Sequence, residues 1–235
     1  MKYKSPAISL TYIKHGESAI ISKIFTKEKG LQTFIIKGVR SKNTKKKISY
    51  FEPLKLLNID AIFNEKKSLQ YLGDVNIAAN LDNKKNKLYT HFIAFFVAEV
   101  TSKVLQENEQ NTILFDFVWN TANSLYNSEE KDLNFPIKFL LNLSHFLGFY
   151  PSVLNIQKSF FELEEGRFSN KINPQKTYLD KNQSIYLKAL LKNEEIVIPK
   201  EKKSSLLKEL MLYYKLHHYT LDSITSHLII EALRQ

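Results

Sequence analysis

The chain contains no cysteine, which removes disulfides, thiolate nucleophiles and every cysteine-based zinc or iron–sulfur site. Any metal would have to be held by histidine and carboxylate alone. The histidines do not assemble such a set: His15, His91 and His145 stand isolated, and His217 and His218 are neighbours that face different sides of a helix. Glycine is scarce, at six residues, and none of the patterns GxxxxGK(S/T), GxGxxG or GxSxG occurs. That argues against a nucleotide-driven or hydrolytic enzyme. No stretch approaches the roughly 18 unbroken apolar residues of a membrane span, and no charged segment followed by a short apolar one opens the chain. The expectation is a soluble, cytoplasmic protein. Arginine is rare too, for only Arg40, Arg167 and Arg234 are found among the 34 basic residues. Lysine acts as a point charge, which suits phosphate groups better than bidentate recognition of a base edge.

What is present is an uneven charge. Residues 1–80 carry a net charge of +9 and residues 81–235 a net charge of +1, within a total of +10. Six of those positive charges fall in the eleven residues from Lys37 to Lys47, KGVRSKNTKKK, where no acidic residue intervenes. This asymmetry points to a polyanionic partner for the first third of the chain.

The first third is also strand-like, with β-branched and aromatic residues in short runs over 7–13, 18–26, 31–39, 54–63 and 69–77, separated by turn residues. Five short strands are too few for a sandwich and close best into a small OB-type barrel. The basic segment lies between the third and fourth strands as a charged loop. After residue 80 the apolar period becomes 3.6. Leu88, Phe92, Phe95, Phe96 and Val100 predict one helical stripe, and Ile113, Leu114, Phe117, Val118 and Leu125 a second. A third helix is expected from Pro136 to Leu147, stopped by Gly148 and Pro151, and two more over 202–217 and 221–233. The predicted class is therefore α+β with two domains: an OB-fold nucleic-acid-binding domain over 1–80, and an α-helical bundle over 81–235 with an irregular insertion at 152–182.

Glu162, Glu164 and Glu165 lack a second acidic cluster for acid/base or two-metal chemistry, and are expected to form a solvated face flanking a hairpin. For the lysine run the plain reading is a solvated loop. The functional reading places Lys37, Arg40, Lys42, Lys45, Lys46 and Lys47 on phosphates, with Tyr50 stacking on a base, since lysines beside aromatics on a small barrel suit single-stranded nucleic acid. For both Tyr50 and Phe51 the plain reading is core packing, slightly more so for Phe51, because the tyrosine hydroxyl tolerates exposure.

Several segments carry a resemblance. They are a strand opening AIxLxxxxxGESxxIxxxFTxExG from Ala7 to Gly30, then KGVR and the basic loop from Lys37, then FxPL from Phe51 to Leu54. The second half adds FLxxLSxFLGFYP from Phe139 to Pro151, FFELEEGRF from Phe160 to Phe168, and LLxxLxxYYxLH from Leu206 to His217. In this order they resemble the RecO family of DNA repair and recombination mediators, in the branch found in Bacteroidetes-type bacteria. The resemblance covers nearly the full length. It implies an OB fold and a helical domain that bind single- and double-stranded DNA and anneal strands without bond chemistry. It further implies work with RecR and the single-stranded DNA-binding protein to load RecA in the RecF pathway. The acidic tail of the single-stranded DNA-binding protein would dock on the helical domain, and the protein would be associated with the nucleoid. Many family members carry a four-cysteine zinc site in the region that spans Val153 to Leu179 here. This chain has no such cysteines, so neither zinc nor another cofactor is carried over, and packing by Phe160, Phe161, Leu163 and Phe168 is expected in its place.

Two other readings stand beside this one. An RNA- or ribosome-binding accessory protein would use the same barrel and loop. A nuclease or transferase lacks any catalytic constellation in the sequence.

Overall fold

A computed structural model describes residues 1–39, 47–79 and 87–227. Five strands, β1 (Lys2–His15), β2 (Ala19–Thr26), β3 (Gly30–Ile36), β4 (Leu56–Ile62) and β5 (Gln70–Ile77), form a closed barrel in the order β1-β2-β3-β5-β4. Closure with so few strands depends on the length of β1. Its second half pairs antiparallel with β2, from Ala7↔Thr26 to His15↔Ala19, and its first half with β4, from Lys2↔Ile62 to Ile8↔Leu56. A register shift between Ser9 and Thr11 bends the strand from one partner to the other. A short parallel pair, Phe34↔Gln70 and Ile35↔Tyr71, completes the circuit. This is the OB-type barrel that the strand count predicts.

Alternation fills the barrel. Along β4, Leu57, Ile59 and Ala61 are buried while Asn58, Asp60 and Ile62 are exposed, and the buried set joins Ile20, Ile24, Phe34 and Val75 in one core. Because β3 neighbours β5 rather than β4, the chain leaving β3 does not pair directly with β4. The described residues on the two sides of that connection are plugged into the core at Val39 and at Phe51, the latter carried by a 3-10 turn over Ile48–Phe51. The Ser9 hydroxyl donates to the Phe51 carbonyl at 2.9 Å, and Leu54 N–H donates to the Ser9 carbonyl at 2.7 Å, so the returning chain is tied to the bend in β1.

Packing divides the protein into two compact units, Met1–Lys131 and Asp132–Gln235. In the first, the barrel is joined by α1 (Lys87–Val104) and α2 (Thr112–Asn127). The helical period is as expected, but the buried face of α1 is formed by Ile93, Phe96, Val97, Val100 and Val104, while Leu88 is 62% and Phe95 40% exposed. α1 carries apolar residues on more than one side, and period alone does not say which stripe meets the barrel. In α2, Ile113 likewise points outward, and Leu114, Phe115, Val118, Ala122 and Leu125 are buried. The α1–α2 link is stitched to β3. Asn108 N–H donates to the Leu31 carbonyl at 3.0 Å, and Gln32 Nε2 donates to Asn108 Oδ1 at 3.0 Å. Phe115 meets Phe25 edge-on at 5.3 Å between centroids.

The second unit holds α3 (Phe135–Phe146), a hairpin of β6 (Phe160–Glu162) and β7 (Arg167–Ser169), α4 (Lys181–Leu191) and α5 (Lys200–Leu216). The third and fourth expected helices are found as α3 and α5. The expectation of a further helix over 221–233 is met only by a helical start at Ser226 and His227, since later residues lie outside those described. α4 is an addition that periodicity did not reveal. Its start is nonetheless written in the sequence as a capping box: Asp180 accepts from Gln183 N–H at 2.7 Å, and Gln183 Oε1 accepts from Asp180 N–H at 2.9 Å. No described helix is long and apolar enough to cross a membrane.

The hairpin is anchored by apolar and ionic contacts. Phe161, Leu163 and Phe168 are buried and Phe160 partly so, and Phe161 meets both Phe168 and Tyr213 edge-on. Phe149 stacks on His217 at 4.9 Å, and the Tyr213 hydroxyl donates to the Phe149 carbonyl at 2.5 Å, so the LGFYP, EEGRF and YYxLH segments share one aromatic core. The carboxylates flank the hairpin as expected, but only Glu165 is exposed, and Glu162 departs from a solvated face. Glu162 is buried and ion-paired with Lys176, Glu165 pairs with the same lysine at 2.9 Å, and Glu164 accepts from Thr177 N–H and Oγ1. They tie the 171–178 connection to the hairpin. Donation to Glu162, then to Glu165, holds the Lys176 ammonium above its ordinary range, and accepting from Lys176 lowers the Glu165 carboxyl. The Lys176 contribution is thus full below the ordinary lysine pKa and lost as pH rises through the raised folded value; that of Glu165 is present above its ordinary pKa and lost in acid.

Gly30 has φ +66°, and a Cβ there would lie 2.0 Å from the Glu109 carbonyl oxygen, whereas Gly16 has φ +57° with open space around it. Gly30→Ala should cost about 3 kcal/mol from backbone strain and forced displacement together, and Gly16→Ala only about 1 kcal/mol. Urea midpoints that are equal for the two variants would contradict this. In the second unit, Lys176→Met leaves a buried carboxylate without its cation, so it should lower the urea midpoint, and adding Glu162→Gln should recover most of the loss. EDTA should leave the midpoint of the wild-type protein unchanged, and a chelator-induced drop would reveal a metal site.

Candidate nucleic-acid interface

The basic segment leaves the barrel directly from β3 and returns through the 3-10 turn. Lys37 is exposed one residue beyond the strand, Gly38 turns the chain at φ +72°, and Val39 then plugs into the core. On the return side Lys47 is exposed, and its carbonyl accepts from Tyr50 N–H at 3.0 Å. Arg40, Lys42, Lys45 and Lys46 lie outside the described residues. The two described lysines of the set therefore stand at the two roots of the segment, each within a few residues of a buried anchor. Tyr50 is half-buried against the barrel core and Phe51 fully buried within it, so of the two aromatics only Tyr50 keeps part of its surface open to a ligand.

Elsewhere on the barrel, lysines spend part of their charge within the protein. Lys27 pairs with Asp116 at 2.8 Å and Lys4 with Asp60 at 3.4 Å, both near the surface, where such pairs contribute little to stability. The wall formed by β1, β4 and β5 encloses a groove of about 590 Å³ in which Tyr71 is exposed beside Lys2 and Lys4. Sequence reasoning did not single out these residues. The available signal was Gly73, an isolated glycine within a strand pattern. Tyr3 of the same wall packs against the barrel core, and burial pushes its phenol up to about 12.

Among the described residues no group of three or more His, Asp or Glu side chains is placed to hold a metal ion. The arrangement offers cations and aromatic faces on a rigid barrel, suited to binding a phosphate backbone and its bases.

Comparison with known proteins agrees in both halves. Residues 1–81 match the family model described as recombination protein O N terminal, and residues 86–220 match recombination protein O C terminal. The chain is 31% identical to a DNA repair protein RecO of Flavobacterium psychrophilum, across 100% of this chain and 99% of the relative. It is 30% identical to that of Flavobacterium johnsoniae and 31% identical to that of Christiangramia forsetii, each across 92% of both chains. Two family models that meet near the end of the barrel, together with relatives matched over essentially their whole length, place this chain in the RecO family.

Proposed function

We propose that this protein is a non-enzymatic, DNA-binding mediator of recombination in DNA repair. Its barrel domain, residues 1–80, holds DNA through the phosphate-directed cations Lys37, Arg40, Lys42, Lys45, Lys46 and Lys47, with the open part of Tyr50 available to a base. The observation that carries the reading is a segment of six cations rooted by buried anchors at Val39 and Phe51 on an OB-type barrel. Fixed roots bring a concentrated charge to one place without a large ordering cost at its ends. Lysine contacts bind single- and double-stranded DNA with little sequence preference and lower the repulsion between two strands, which supports annealing. The helical domain, residues 81–235, is assigned to protein contacts: the acidic tail of the single-stranded DNA-binding protein, and RecR, through which RecA is loaded. The site of action is the cytoplasmic nucleoid.

With about six phosphates neutralised on single-stranded DNA, log K should fall with log salt at a slope near −4. Replacing Lys45, Lys46 and Lys47 together with Glu should reduce affinity roughly 100-fold at moderate salt. The same change should alter stability by no more than about 0.5 kcal/mol. A slope near zero, or unchanged DNA affinity in the triple variant, would reduce the lysine run to a solvated loop. The partner assignment is tested separately by pull-down of purified RecR and the single-stranded DNA-binding protein. Both should be retained by the wild-type chain, and tail binding should survive the triple substitution. Preference for structured RNA over single-stranded DNA at matched salt would favour an RNA-binding accessory role instead.

A further inference from the structure

The groove on the β1–β4–β5 wall is built from two neighbouring outward rows of the barrel. In the first, Ile35 of β3, Tyr71 of β5, Ile62 of β4 and Lys2 of β1 stand side by side through the pairs Ile35↔Tyr71, Ile62↔Tyr71 and Lys2↔Ile62. In the second, Lys4 opposes Asp60, which opposes Asp74, and the register shift between Asp60 and Ala61 leaves Gly73 without a partner on β4. Gly73 alone of the six glycines does not adopt a positive φ, so its backbone conformation does not call for glycine. A Cβ there would approach the Asp60 carbonyl oxygen at 3.0 Å and meet only other atoms of Asp60 within 4 Å. The missing side chain leaves a depression beside a tyrosine ring that is 57% exposed and an isoleucine that is 37% exposed. At about 590 Å³ it falls within the range of small-ligand sites.

We propose that this groove is a nucleotide subsite, in which one unstacked base of single-stranded DNA lies against Tyr71 while its phosphates rest on Lys2 and Lys4. The proposal rests on the DNA-binding reading above and adds a second point of contact, on another wall of the barrel from the Tyr50 turn. Charge sets the polarity of the site. Asp74 repels phosphate from the side of Gly73, and Asp60 sits against Lys4 at 3.4 Å, so the backbone follows β1, where Lys2 and the exposed Lys4 stand, and the base points across Ile62 towards β5. β1 and β5 are two strand spacings apart, about 10 Å, which suits the reach from a phosphate to the far side of its base. Lys66 and Lys67, exposed in the β4–β5 connection, extend the cationic border at the Ile62 end. Lys37 lies two residues beyond Ile35 and carries the same surface towards the basic segment.

Stacking separates this proposal from simple charge attraction, because bases in a duplex are already stacked and cannot occupy the ring face. The test is the full-length chain with Tyr71→Ala, Tyr71→Phe or Tyr71→Trp, titrated against a mixed-sequence single strand and against a duplex of equal length. Tyr71→Ala should weaken single-strand binding about 5- to 100-fold, the range for loss of one aromatic platform. Duplex affinity and melting temperature should stay unchanged, and the Phe and Trp variants should bind the single strand like wild type. Wild-type single-strand affinity in Tyr71→Ala, with affinity still lost on reversing Lys45, Lys46 and Lys47, would leave the DNA-binding reading intact and overturn the groove. An equal loss for single strand and duplex, or no rescue by Phe, would overturn stacking. A wild-type protein that binds neither DNA would overturn the DNA-binding reading and the groove with it.

Discussion

Closure of a barrel with only five strands is the constraint on which the rest of the first unit depends. The long bent β1 supplies two neighbours, and the parallel β3–β5 pair supplies the last seam. That order prevents β3 from turning straight back into β4. The connection between β3 and β4 carries the six cations in its sequence, and the described residues towards its two sides, Val39 and Phe51, are buried in the barrel core. Its described ends are thereby fixed to the barrel.

The second unit solves a different problem, that of fixing a short hairpin. Structural zinc sites contribute folding energy directly and hold small loops that cannot bury enough surface on their own. Here the same part of the chain is held by aromatic edge contacts around Phe161, by a buried carboxylate shared with Lys176, and by Glu164 capping the Thr177 backbone. A Cβ on Gly166 would come 2.6 Å from the Tyr213 hydroxyl, so the hairpin turn and α5 meet with no room for a side chain. Close packing and these ion pairs hold the hairpin.

How much of this was legible in sequence follows from the range of each signal. The five strands and α3 were visible because alternation, helical period and the proline and glycine punctuation are local. The OB-type order followed because five strands have few ways to close. The face of α1 was not legible, since apolar residues surround that helix and its contacts with β1 decide which stripe is buried. The partnership of Glu162 with Lys176 was hidden because it joins residues fourteen positions apart across a turn. The Tyr71 groove was hidden for the same reason: its rows exist only once β1, β4 and β5 are in register. By contrast, the capping box at Asp180 was local and readable, and was masked only by the irregular composition of the residues before it.

The most direct test of the central idea, that the barrel is the nucleic-acid-binding half, is photochemical cross-linking of the full-length chain to a single-stranded oligonucleotide, with the attached peptides mapped by mass spectrometry. Cross-links are expected in peptides of the barrel, above all those carrying residues 37–50, 2–4 and 71. Cross-links confined to residues 132–227 would contradict it and move DNA binding to the second unit.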